Sequence, residues 1–192
     1  MKRRIEFTPI KNKTFFKAPA LELAKKLLGL VLVRRFFGNS AFYQIVETEA
    51  YHEKDPASHS FRGQTRRNSS MFLEGGHLYV YKIYGVHHCV NIVANAHGVG
   101  EAVLIRSVFD LERNLLITGP GRVCTALKID LNFDGKSLIN DTDDIFLAKI
   151  PKFRPVKILS STRIGITKGL ELEYRFYVEP FAKYLPKSKP VR

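Results

Sequence analysis

The segment Glu47-Thr48-Glu49-Ala50-Tyr51 carries the strongest chemical signal in the chain. On a β-strand, alternate residues share a face, so Glu47, Glu49 and Tyr51 point one way. Carboxylates two positions apart then lie roughly 6–7 Å from one another, at a rise of ~3.3 Å per residue. Burying such a pair drives the two proton affinities apart and leaves one carboxylate able to act as a general base. The same pattern also describes a solvated outer strand face, and the sequence leaves both readings open. Tyr79 and Tyr81 share one face of a second strand. Tyr84 stands at its end, before Gly85, where a turn exposes it. Aromatics beside a basic surface suit base stacking, worth ~1–3 kcal/mol each, and a side chain at a turn tip can wedge between base pairs. Ordinary strand packing is the competing reading, the better one for Tyr79 taken alone. Gly119-Pro120-Gly121-Arg122 precedes a helical pattern, where backbone N–H groups could hold a phosphate; a plain turn into the helix is the simpler account. His87 and His88 are adjacent and face opposite ways on a strand, and His97 brings no acidic or cysteine partner at a familiar spacing, so no metal site is expected.

The elements that must position these residues are mostly strands. Ala18 to Leu28 read as a helix, with Pro19 in its first turn and Gly29 as its stop. Leu30 to Phe36 and Ala41 to Ala50 read as a hairpin turning at Gly38-Asn39-Ser40. Residues 52–70 form a long polar loop, a feature that in compact domains is often functional. Strands follow at His77 to Ile83, Val86 to Ala94 and Ala102 to Val108. A helix covers Arg122 to Ile129. Residues 130–144 are rich in turns, and Ile145 to Ala148 and Tyr174 to Val178 read as further strands. Residues 1–17 read as a loose basic arm and 186–192 as a disordered basic tail. There is no internal repeat and no domain boundary, so the expectation is one α+β domain over 1–192.

Charge points to the partner. The chain has 192 residues, with 31 Lys and Arg against 18 Asp and Glu, a formal net charge of +13. Residues 1–40 hold 10 basic and 2 acidic side chains, and residues 151–192 hold 10 and 3. Residues 41–60 invert the balance, with Glu47, Glu49, Glu53 and Asp55 against Lys54. A phosphate-binding rim around a small acidic site accounts for this better than a merely soluble basic surface. A hydrophobic fraction of 45% supports a real core. The longest apolar run, Leu27 to Val33, is far short of the ~20 residues a membrane helix needs. Two cysteines, Cys89 and Cys124, are too few for a disulfide framework, so a reduced, cytosolic-type compartment is expected.

The chain resembles the alkyladenine (3-methyladenine) DNA glycosylases, strongly over about residues 18–129 and more weakly over 155–178. The resemblance rests on Leu27-Leu28-Gly29, Ile45-Val46-Glu47-Thr48-Glu49-Ala50-Tyr51, Ser58-His59-Ser60, Arg67-Asn68 and Met71-Phe72. It continues through Leu78-Tyr79-Val80-Tyr81, Ile83-Tyr84-Gly85, Asn91-Ile92, Val103-Leu104-Ile105-Arg106, Gly119-Pro120-Gly121 and Arg163-Ile164-Gly165-Ile166. It implies a curved antiparallel sheet with surrounding helices and no metal or organic cofactor. The implied partner is double-stranded DNA containing damaged purines, bound by a monomer with no membrane role. That places the protein near the nucleoid in the cytoplasm of a bacterium, or in a eukaryotic nucleus.

The resemblance also implies roles. Glu49 corresponds to the general base, and Arg106 to a partner that helps hold the water, with the Ile164 backbone as another. Tyr51, His59 and Tyr81 correspond to walls that stack on a flipped base, and Tyr84 to the wedge that fills the gap. Asn91 corresponds to the group that crowds the 2-amino substituent of guanine. Glu47 receives no role. Only 12 residues, Ser107 to Thr118, link the strand of Arg106 to Gly119, where a longer helix-containing connection is expected. Arg122 stands where lysine is common. The rival readings are a non-catalytic damaged-DNA-binding module and an RNA-binding domain.

Overall fold

The acidic pair sits on the longest strand of a ten-stranded antiparallel sheet. The computed structural model describes residues 5–36, 39–140, 144–151 and 157–188. The strands are β1 (Thr8–Pro9), β2 (Val31–Phe36), β3 (Asn39–Tyr51), β4 (Leu78–Ile83), β5 (His87–Val93), β6 (Ala102–Asp110), β7 (Leu115–Thr118), β8 (Ile145–Lys149), β9 (Ile158–Ser161) and β10 (Arg175–Val178). The order is β1-β8-β2-β3-β6-β5-β4, with β7 added to β6, and β10 pairing both β3 and β9. β3 is central. Its first half pairs with β2, its second half with β10, and its other edge with β6.

The two-residue period of the strands separates core from site. Val80, Val90, Ile92, Val103 and Ile105 join Leu23 and Leu27 of α1 (Ala20–Leu27) and Val123 and Leu127 of α2 (Pro120–Leu127) in the main hydrophobic core. Their strand neighbours Tyr79, Tyr81, Cys89, Asn91, Leu104 and Arg106 therefore face the other way, and all of them line one cleft. On β3, Ala50 joins the core and the Thr48 hydroxyl donates to the Ala24 carbonyl of α1 at 3.0 Å, which leaves Glu47, Glu49 and Tyr51 on the cleft face. The β3–β6 register shifts on both sides of Glu47. Such irregularities bend a strand and re-aim its side chains beside functional sites.

The structure refines the reading of the helices and of the Ser107 to Thr118 connection, and it corrects the reading of the N-terminal arm. The helical complement is small: among the described residues there are two α-helices of 8 residues each, with four short 3-10 segments. The N-terminal arm is not loose from residue 5 onward. β1 pairs with β8, Lys13–Lys17 is a 3-10 turn, and Phe16 is fully buried. A Cβ on Gly75 would collide with the Phe16 carbonyl oxygen, so this close approach requires glycine. Residues 1–4 of that arm, and 189–192 of the tail, lie outside the described residues. The Ser107 to Thr118 connection contains no helix; it is a hairpin in which β7 folds back on β6, with Asn114 at φ 53°. β7 and β9 are strands of only four residues that the sequence pattern did not disclose.

Candidate active site

Glu49 is fully buried at the floor of a cleft of about 1060 Å³. The Tyr51 hydroxyl, from the same strand face, donates to Oε2 at 2.9 Å. The Ile164 backbone N–H, from the loop between β9 and β10, donates to Oε1 at 2.9 Å. Arg106 Nη1, from β6, lies 3.5 Å from Oε1. Burial raises the proton affinity of Glu49. Arg106, the Ile164 N–H and the Tyr51 hydroxyl pull it down, Glu47 pushes it up again, and the net shift is upward. A carboxylate in this state is a stronger base than an exposed one. The solvated-face reading of the acidic pair is therefore wrong, since Glu47 is fully buried as well. Arg106 and Ile164, expected to hold a water, both contact the carboxylate itself.

The aromatic walls stand above this floor. His59 and Tyr81 meet edge to face with ring centroids 4.6 Å apart, and Tyr79 and Tyr81 lie 5.3 Å apart. The Tyr79 hydroxyl and His59 Nδ1 hydrogen-bond at 2.8 Å, so buried Tyr79 sets the pose of His59. Desolvation in the wall, followed by the charge of Arg67, lowers the His59 proton affinity and favours the neutral ring. Burial raises the Tyr51 and Tyr81 proton affinities, so both hydroxyls stay protonated. Asn91 is buried, and its Nδ2 donates to the Tyr79 carbonyl at 3.0 Å.

Tyr84 occupies the tip of the β4–β5 hairpin and is 89% exposed. Tyr84 and Gly85 have φ values of 47° and 73°, the positive pair that a primed hairpin turn demands. Glycine meets that demand freely; a tyrosine there costs on the order of 1–2 kcal/mol. Strain of this kind is retained at functional positions.

Gly119 has φ 95° and turns the chain into α2. Its N–H donates to the Arg106 carbonyl at 2.9 Å, so it is not available to a phosphate. The N–H groups of Gly121 and Arg122 belong to the first turn of α2, where a helix offers no internal acceptor. Gly121 packs beside His87, and Arg122 is exposed. All ten residues singled out from the sequence, namely Glu49, Arg106, Tyr51, His59, Tyr81, Asn91, Tyr84, Gly119, Gly121 and Arg122, line the one cleft. Among the described residues, no group of three or more His, Cys, Asp or Glu side chains is placed to hold a metal ion.

Several participants escaped the sequence reading. Asp55 forms a buried bidentate pair with Arg163, whose Nη1 also donates to the Ala50 carbonyl at 3.1 Å. The Arg163 guanidinium lies 4.7 Å from the Tyr51 ring centroid. This clamp ties the 52–70 loop to the segment that presents Ile164. Glu47 binds Arg175 at 2.5 Å, and Arg175 Nη2 donates to the Pro186 carbonyl at 2.7 Å. Pro186 and Lys168 extend the cleft wall. The available signal was Arg175 inside the strand pattern Tyr174 to Val178, since a charge set among inward-facing residues needs a buried partner.

Comparison with known proteins extends this geometry. Residues 14–181 match the family described as Methylpurine-DNA glycosylase. A protein of Carboxydothermus hydrogenoformans named "Putative 3-methyladenine DNA glycosylase" is 41% identical over 192 aligned residues, covering 92% of this chain and 98% of its own. Proteins of the same name from Synechococcus sp. (strain JA-3-3Ab) and Methanoculleus marisnigri are 44% and 41% identical, covering 84% and 86% of this chain and 91% and 93% of theirs. The match spans the carboxylate strand, the tyrosine hairpin and the distant loop that holds Glu49, and it runs nearly end to end in these relatives; the chain belongs to the methylpurine-DNA glycosylase family.

Proposed function

We propose that this protein is a monofunctional DNA glycosylase. It extrudes an alkylated or otherwise damaged purine of the 3-methyladenine type from duplex DNA and hydrolyses its N-glycosidic bond, leaving an abasic site. One observation carries the reading: a buried, hydrogen-bonded carboxylate at the floor of an aromatic cleft whose mouth is basic. A base in a duplex hides its glycosidic bond, so extrusion is required, at a cost of a few kcal/mol. Tyr84 at the hairpin tip fills the vacated space. Tyr51, His59 and Tyr81 stack on the extruded ring. Alkylated purines that carry positive charge gain from these electron-rich faces and leave more readily. As the bond breaks, the sugar gains oxocarbenium character. Glu49 stabilises that charge and takes a proton from the attacking water. Asn91 crowds the 2-amino group of guanine, and Gly121, Arg122 and Lys168 face the phosphates from the rim. Lys168 is exposed, which suits a phosphate contact.

The deciding experiment is incubation of the purified protein with methylated duplex DNA, with chromatography of released bases and assay for abasic sites and strand breaks. Free methylated purine with abasic sites and no strand cleavage is expected. Tight binding to the lesion without base release would make this a non-catalytic sensor. Preference for structured RNA over duplex DNA in competition would favour an RNA-binding role.

A further inference from the structure

The catalytic reading leaves one buried carboxylate unused. Glu47 stands two residues before Glu49 on the same face of β3 and is fully buried. Its Oε1 accepts from Arg175 Nε at 2.5 Å and its Oε2 from the Ser107 hydroxyl. Arg175 is committed there: its remaining nitrogens donate to the Pro186 carbonyl at 2.7 Å and the Ser161 hydroxyl at 3.3 Å. Arg106 is not committed. Its Nε lies 3.4 Å from Glu47 Oε1 and its Nη1 lies 3.5 Å from Glu49 Oε1. Nε makes no hydrogen bond among the described residues. A closed guanidinium–carboxylate fork would bring two nitrogens to roughly 2.7–2.9 Å of one carboxylate. Arg106 instead hangs between two carboxylates and closes on neither.

The lone pairs show why this matters. A carboxylate accepts at about four positions, two on each oxygen. Glu49 spends one on the Ile164 N–H and one on the Tyr51 hydroxyl. A closed fork from Arg106 would take the other two, and no position would remain for a water to be deprotonated. We propose that Glu47 is a positioning residue for the hydrolysis: it draws Arg106 away from Glu49 and so keeps an acceptor position on Glu49 open for the nucleophilic water. This rests on the reading of Glu49 as the general base.

The other groups facing Glu49 do not supply this effect. Tyr51 of β3, Tyr81 of β4 and Cys89 of β5 have proton affinities raised by burial and stay neutral. Arg163, in the loop before β10, is spent on Asp55. Glu47 and Arg106 are the remaining charges, so the state of Arg106 is what Glu47 controls.

The test follows Glu49 directly and through its reaction. In Glu47→Gln, Arg106 closes on Glu49, and the carboxyl carbon-13 NMR midpoint of Glu49 falls by about one pH unit. The acidic limb of single-turnover excision from methylated duplex DNA moves with it. The plateau rate falls at least about tenfold, because a paired carboxylate is a weaker base. Since Glu47→Gln strands Arg175 without a counter-charge, the double variant Glu47→Gln/Arg175→Gln removes both charges together and is expected to show the same displacement. Glu47→Asp keeps the charge and should hold the midpoint near that of the wild type. An unmoved Glu49 midpoint in the folded double variant, with any rate loss uniform across pH, would overturn the proposal and reduce Glu47 to a structural ion. If the wild type releases no base, the function proposed above fails, and the NMR midpoint still decides the role of Glu47.

Discussion

Glu49 Oε1 accepts the backbone N–H of Ile164 at 2.9 Å across 115 positions of sequence. The carboxylate is therefore oriented by a loop far away in the chain, which its own strand also meets where the Ala50 N–H donates to the Tyr174 carbonyl at 2.8 Å. That loop is pinned in turn, because Arg163, the residue before Ile164, is locked to Asp55 and to the Ala50 carbonyl. The base, its amide partner and the wall that carries His59 form one tertiary unit, and loosening any part should be felt at the carboxylate.

Asp55→Asn tests that unit. Both side chains of the Asp55–Arg163 pair are fully buried. Removing one partner of a buried pair costs about 3–5 kcal/mol. For a chain of this size that corresponds to a fall in Tm on the order of 10 °C. Excision should also fall, through displacement of the Ile164 N–H. Calorimetry checks the first and single-turnover kinetics the second; a Tm within a degree of wild type would show that the pair clamps nothing.

Glu49→Gln should abolish chemistry and spare binding. Glutamine keeps the shape and an oxygen acceptor for Ile164, but it cannot take a proton. Loss of a positioned general base costs ~10²–10⁴-fold. Wild-type-like excision by a folded, DNA-binding variant would remove Glu49 from its assigned role.

The strands and their faces were largely legible in the sequence, because alternation at Leu78 to Tyr81 and at Val103 to Arg106 is a local property. The covering of those faces was not. Whether Glu47 and Glu49 meet water depends on β6, β10 and the Ile164 loop, which lie about 60 to 130 residues away in the chain, and no local pattern encodes that closure. Phe15 and Phe16 carried the missed signal in the N-terminal arm: two adjacent aromatics among lysines need somewhere to go, and Phe16 goes into the core. The strands β7, Leu-Leu-Ile-Thr, and β9, Ile-Leu-Ser-Ser, show no two-residue alternation.

The raised proton affinity of Glu49 gives a pH dependence of definite sign. The base must be ionised, so excision should fall as pH drops through a midpoint above the ordinary carboxylate value. Stability moves oppositely for this group. The folded state holds the proton that the unfolded chain releases, so the Glu49 contribution favours folding at low pH and is lost as pH rises through the raised value. Rate profiles on methylated duplex DNA, with melting curves of wild type and Glu49→Gln across the same range, check both signs. An acidic limb at or below the ordinary glutamate value would contradict the burial effect.

Tyr84→Ala should separate extrusion from chemistry. At 89% exposure, Tyr84 is no core residue, and Tm should change by no more than about 0.5 kcal/mol equivalent. The wedge stabilises the extruded state, so excision from paired duplex should fall more than excision of a bulged lesion, which needs less energy to leave the stack. Tyr81→Ala removes a wall and should hurt both substrates alike. Equal losses on paired and bulged lesions for Tyr84→Ala would place the wedge elsewhere on the hairpin.

Two truncations distinguish charge from structure at the C-terminal end. A chain ending at Pro186 loses Lys187, Lys189 and Arg192 but keeps the Pro186 carbonyl that accepts from Arg175. Its Tm should match that of the full chain. If those cations touch phosphate, binding weakens for all sequences alike, and the slope of log affinity against log salt becomes shallower by about 0.9 for each phosphate no longer neutralised. A chain ending at Lys183 also loses buried Leu185 and that carbonyl. An unsatisfied buried guanidinium N–H costs about 1–3 kcal/mol, and the missing apolar burial adds up to about 1.5–3 kcal/mol. This shorter chain should melt several degrees lower. Equal melting of the two truncations would show that Leu185 and Pro186 contribute nothing to the fold. An affinity for duplex DNA that stays constant between ~50 and 200 mM salt, in any of the three chains, would remove the electrostatic basis for DNA as the partner.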